Sequence, residues 1–155
     1  MISCTFAGHR EVYGRNVESS IEIAIESILK KDNSFVFYSG DMGEFDKMCS
    51  AAVRAAKRRH PKLDIKLMVV LPYMMAKVNT DKDFYKNLYD EIIISMELSD
   101  AHYKSAITKR NRWIIDRSDC LIAYVYRDFG GAYATLKYAC RMEKEIINLA
   151  DTPKQ

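Results

Sequence analysis

Three short stretches join glycine to groups that can hold an anion or move a proton. They are Gly8-His9-Arg10, Ser39-Gly40-Asp41-Met42-Gly43-Glu44-Phe45-Asp46 and Phe129-Gly130-Gly131-Ala132. Glycine lets a backbone or ligand approach closely, and amide N–H groups at a helix mouth suit phosphate. His9 and Arg10 add donors for an anion. A fourth stretch supplies Arg110, whose forked guanidinium suits bidentate phosphate contact, with Asn111 beside it. Asp41, Glu44 and Asp46 bring negative charge into the second stretch, which suits ribose hydroxyls, a cation or acid–base work. The plainer role is helix capping by Asp41 or Gly43, with acidic residues in the first turn. The second stretch is neither GxGxxG nor a Walker A loop. Arg112 and Asp116, four apart, read as a surface ion pair. No Ser/His/Asp arrangement or nucleophile elbow can be assembled from these spacings.

For these residues to meet, alternating strands and helices must deliver them to one edge. Strand-like runs fall at 2–7, 35–39, 65–71, 91–94, 121–126 and 145–149, several of them continuously apolar, as in strands covered on both faces. Helical stripes lie between them: Val17, Ile21, Ala24, Ile25 and Ile28, then Phe45, Met48, Cys49, Ala52 and Ala56. Further helices are expected over 105–117, its start turned to the sheet edge with Arg110 and Asn111, and over 132–144. This alternation predicts one α/β domain over 1–150, a Rossmann-like, mostly parallel sheet with helices on both faces. Residues 72–103 break the rhythm and read as a long loop with a short helix, able to act as a lid. Residues 151–155 read as a polar tail. In such a sheet ligands sit beyond the carboxyl ends of the strands, where both glycine turns would lie.

Composition sets outer bounds. Hydrophobic residues make up 48% and charged residues 29%, an ordinary globular balance. The net charge of +3 is too small to argue for nucleic acid by itself. Cys4, Cys49, Cys120 and Cys140 are widely spaced in apolar stretches and read as buried thiols, with no disulfide framework. With His9, His60 and His102 equally scattered, no metal site or cofactor is expected. The cations of Lys57-Arg58-Arg59-His60 suit a helix carboxyl end. Tyr124, Tyr126, Tyr133 and Tyr138 can stack on a base but more often serve packing. No apolar run is long enough for a membrane span, and MISCTFAGHR lacks a signal-peptide pattern, so a cytoplasmic chain without a membrane partner is expected.

The segments CTFAGHR, FYSGDMGEFDKM, KLMVVLPY, KRNRWIIDRSDCLIAYV and FGGA together resemble the SLOG (SMF/DprA–LOG) superfamily, in particular its stand-alone bacterial and phage members related to the YpsA group. The resemblance spans nearly the whole chain. It implies a Rossmann-like fold that binds a nucleotide or nucleotide-derived signal. Ligand contact would pass to Gly8, Ser39, Gly40, Gly43, Arg110, Gly130 and Gly131, with Asp46 matching the acidic residue after the first glycine turn. By analogy it also implies a homo-oligomer. The LOG branch hydrolyses nucleoside-monophosphate N-glycosidic bonds with an arginine and the glutamate of GGxGTxxE. Here Arg110 matches the arginine's context, but the glutamate is missing and Lys137 stands near its place, so Asp41, Glu44 or Asp46 would have to replace it. The DprA branch binds single-stranded DNA through a loop that in this chain is acidic, which argues against nucleic acid as a partner. The expected function is binding or sensing of a nucleotide-like small molecule. A nucleotide N-glycoside hydrolase and a DNA-binding accessory protein stand as the alternatives.

Overall fold

The apolar runs become the six strands of one sheet in the computed structural model, which describes residues 1–14, 16–72, 82–94 and 103–150. In chain order the elements are β1 (Ile2–Gly8), α1 (Val17–Leu29), β2 (Ser34–Ser39), α2 (Gly43–Arg59), β3 (Asp64–Leu71), α3 (Lys82–Leu88), β4 (Glu91–Ile94), α4 (Tyr103–Asp116), β5 (Cys120–Tyr124), α5 (Gly131–Arg141) and β6 (Glu145–Asn148). Every strand pairing is parallel, in the order β4-β3-β2-β1-β5-β6. The chain starts in the middle, steps outwards to β4, then returns to lay β5 along the free side of β1.

The two-residue period of the strands sorts side chains between two layers. Cys120, Ile122 and Tyr124 of β5 join Cys4 and Phe6 of β1 in the larger core, which α1 and α2 cover. Leu121 and Ala123, with Val125 just beyond, join Ala7, Ile115 and Ala139 in a smaller core under α4 and α5. Three of the four cysteines pack inside as expected. Cys140 does not: near the carboxyl end of α5 its thiol faces solvent.

Several boundaries differ from the sequence reading for identifiable reasons. β5 stops at Tyr124 because the next N–H groups leave the ladder. Val125 donates to Asn148 Oδ1, while Tyr126 and Arg127 donate to His9 Nε2. α5 stops at Arg141 because Glu143 turns to φ 57°, and the N–H of Lys144 then caps the Ala139 carbonyl. α4 begins at Tyr103, so Arg110 and Asn111 lie in its second half rather than at its start. The 72–103 segment contains α3 and β4; the expected lid would fall on 73–81 and 95–102, outside the described residues, as does the tail 151–155.

Gly8 shows how closely β1 is covered. A Cβ there would lie 2.4 Å from the ring of the buried Phe45 at the start of α2. Gly8→Ala is therefore expected to lose about 1–3 kcal/mol through overpacking. Gly131→Ala, whose Cβ would meet no atom within 4 Å, should stay within about 0.5 kcal/mol of the parent. Urea denaturation of the two variants checks this, and equal midpoints would refute it.

Candidate functional site

β1 and β5 are neighbours, yet α1 leaves for one face of the sheet and α5 for the other. The carboxyl ends of these two strands therefore part and open a crevice at the topological switch point. A cavity of about 460 Å³ fills it, within the size range of small-ligand sites. Gly8, His9 and Arg10 line it after β1, Gly40, Met42 and Asp46 after β2, and Arg110 and Asn111 from α4. Arg127, Phe129, Gly130, Gly131 and Ala132 close the side that follows β5. Both glycine turns thus stand at one edge of the sheet. Ser39, Asp41, Gly43 and Glu44 do not line the cavity; Ser39 is fully buried and Gly43, at φ 87°, packs on the backbone of Arg10.

The amino end of α5 is an open part of the wall. Gly130 sits at φ 94° and no side chain caps the helix. With no atom near a Cβ on either glycine, the first amide groups of the helix have space for an anion. Beside them Phe129 is 63% and Tyr126 43% exposed. The Arg127 guanidinium stands 5.0 Å from the Tyr126 ring centre and 5.8 Å from that of Phe129. His9 anchors this segment. Its Nε2 accepts two backbone N–H groups, so the ring is neutral with its proton on Nδ1. Burial and the charge of Arg127 both lower its pKa, consistent with that acceptor role.

Arg110 is the main departure from expectation. It is 1% exposed and its guanidinium is engaged by the protein. Nη1 donates to the carbonyls of Gly40 (3.0 Å) and Val70 (2.9 Å), Nε to Asn111 Oδ1 (2.8 Å), and Nη2 contacts Met42 Sδ. It clamps the turn after β2 to the end of β3 while forming part of the cavity wall. The expected Arg112–Asp116 ion pair does not form. Asp116 accepts the Tyr138 hydroxyl (2.6 Å) and Arg112 lies over the Tyr138 ring.

No family model matches the chain, and no curated protein matches it. Solved structures do. The chain is similar to DNA processing protein A from Helicobacter pylori, described for its single-stranded DNA binding mode, at TM-score 0.68 and 18% identity over 99% of this chain. It is also similar to DNA processing protein A from Streptococcus pneumoniae, at TM-score 0.65 and 16% identity over 94% of the chain. It spans 66% and 49% of the lengths of those two chains. At such identities the likeness shows a shared fold. It also overturns the expectation against nucleic acid, because a protein of this fold is described as binding single-stranded DNA.

The physical ground of that expectation, the acidic second stretch, also changes in three dimensions. Asp41, at φ 52°, turns its carboxylate to the hydroxyls of Tyr85 (3.2 Å) and Tyr89 (3.3 Å) and does not cap α2, whose N-cap is Met42. Glu44 accepts the N–H of Val12 (3.1 Å), tying the β1 and β2 turns together. Of the three carboxylates offered as stand-ins for the hydrolase glutamate, Asp46 alone lines the cavity. It is 7% exposed and accepts the N–H of Met42 (3.0 Å). Burial pushes its pKa up to about 7, against the pull of that N–H and of Arg110, with the charge of Asp41 adding to the rise. Lys137, near the missing glutamate's place, is exposed and lies outside the cavity.

Met42, Tyr85, Tyr89 and Arg127 were not legible as site residues. Only Arg127 carried a signal, a cation just ahead of a glycine turn. Among the described residues no group of three His, Cys, Asp or Glu is placed to hold a metal ion. No described helix is long and apolar enough to cross a membrane.

Proposed function

We propose that this cytoplasmic chain, a relative of the YpsA group, binds a nucleotide unit of single-stranded DNA in the switch-point cavity. The observation that carries the reading is the uncapped amino end of α5, which opens into the cavity beside the Arg127–Tyr126–Phe129 rim. A helix amino end in a cavity that Arg10 and Arg127 also line supplies donors and positive charge to a phosphate. Exposed aromatic rings beside it give a base a sequence-tolerant stacking surface. The described ligand of the Helicobacter pylori protein supports the same class. The cavity volume suits one nucleotide, which favours a free nucleotide as the second reading.

Gly131→Asp tests the reading. A carboxylate at the first helical position complements the helix dipole, so α5 is expected to keep its stability. The same carboxylate repels an anion at the site. Binding of fluorescein-labelled oligothymidylate, followed by anisotropy, should weaken about tenfold or more. Unchanged affinity would refute the reading. Thymidine monophosphate competing as well as the oligonucleotide would transfer the site to a free nucleotide.

A further inference from the structure

The outer face of α4 and α5 carries a charge pattern that the cavity does not use. Lys109, Arg112, Arg117, Lys137 and Arg141 are all exposed there. Asp116 is the one carboxylate on these two helices, and its oxygen accepts the Tyr138 hydroxyl. Among the described residues none of the five cations joins an ion pair. The opposite layer differs: α1 carries Glu18, Glu22 and Glu26 without a base, and Glu22 and Glu26 pair with Arg59 of α2.

Aromatic rings lie against four of these cations. Arg112 and Arg141 both lie over Tyr138, at 5.1 and 5.5 Å from its centre, Arg117 lies 3.8 Å over Trp113, and Lys137 faces Tyr133. Flat guanidinium groups held on rings keep donors directed outwards and offer stacking faces. Five cations gathered about a single carboxylate, Asp116, repel one another, and an anionic partner relieves that repulsion. The patch is continuous with the cavity, because α5 begins at Gly131 in its wall and runs about 15 Å to Arg141.

From this we infer that the α4–α5 face is a second contact surface for single-stranded nucleic acid, carrying the strand that flanks the nucleotide in the cavity. The inference rests on the cavity reading. A polyanion with repeated charges fits a patch of several exposed cations. A membrane fits less well, because among the described residues the large apolar side chains exposed beside the patch are few, Met142 and, at the amino end of α5, Phe129.

The test uses the full chain and oligothymidylates of two lengths, a trinucleotide and one of about 20 nucleotides. In the double variant Arg112→Glu/Arg141→Glu the longer strand should bind about tenfold more weakly or worse. Its log–log salt slope should shrink by about 1.4, as expected for two lost phosphate contacts. Trinucleotide affinity should stay unchanged, and Arg58→Glu, exposed on α2, should affect neither probe. Arg112→Gln/Arg141→Gln gives the same reading without reversed charge, should the first variant fold poorly. Trp113, the single tryptophan, should be quenched by the longer strand only. Equal affinity of parent and double variant for the longer strand would overturn this surface and leave the cavity reading intact. Failure of the parent to bind either length would overturn both. Vesicles of phosphatidylserine that bind the parent and not the double variant, while the longer strand binds both, would reassign the face to a membrane.

Discussion

Replacing Arg110 by methionine is expected to remove about 3–5 kcal/mol of folding stability, the scale at which breaking one buried charged network dominates a small domain. The side chain is among the largest fully buried ones, and its Nη1 serves the carbonyls of Gly40 and Val70 together. Methionine fills much of the volume but leaves both carbonyls without that donor, at about 1–3 kcal/mol for each unsatisfied group. Lysine should recover part of the loss, since one ammonium cannot reproduce the planar fork. Arg112→Met, two residues on but exposed, should change stability by less than about 0.5 kcal/mol. Urea unfolding of the three variants separates these outcomes. An Arg110→Met loss below about 1 kcal/mol, with nucleotide binding abolished, would return Arg110 to the role of direct ligand contact that its sequence context suggested.

The second large effect follows from Asp46. Its folded pKa is raised to about 7 from an ordinary 3.8, chiefly by burial. Between those values the folded protein holds a proton that the unfolded chain has released. Stability from this group is therefore complete at low pH and is lost as pH rises through 7. At about 1.4 kcal/mol for each pKa unit, the swing is on the order of 4 kcal/mol. In Asp46→Asn the side-chain amide can still accept the Met42 N–H through its carbonyl oxygen, and it never ionises. The variant should match the parent near about pH 4 and exceed it by several kcal/mol near about pH 8. Comparing urea midpoints across that range checks the claim, and a difference independent of pH would refute it. The same proton bears on binding. Protonated, Asp46 can donate into the cavity, whereas ionised it repels an anion, so phosphate affinity should fall above neutral pH in the parent and not in Asp46→Asn.

Much of this architecture was written in local pattern. Two-residue alternation in apolar runs and 3.6-residue stripes between them can fold in few ways, and the right-handed crossover leaves a parallel sheet with helices on both faces. Glycines that follow strands therefore had to gather at the carboxyl edge, and Gly40 and Gly130 do share one cavity there. Strand order was not local. Nothing near Gly8 or Gly130 says that β5 returns to lie beside β1, yet that pairing makes the switch point and the cavity. The fate of each charge was decided the same way. Asp41, Glu44 and Arg110 are alike in sequence as exposed polar groups at a ligand edge. Long-range partners turn Asp41 to two tyrosines of the α3 region, Glu44 to the β1 turn and Arg110 into the core. The cations of α4 and those of α5 lie twenty or more residues apart in the chain and become one patch only where the two helices pack side by side on the sheet. Spacing along a chain reports which groups share a face of one element. Which elements face each other, and so which charges are consumed internally and which remain for a ligand, follows from burying both faces of the sheet at once.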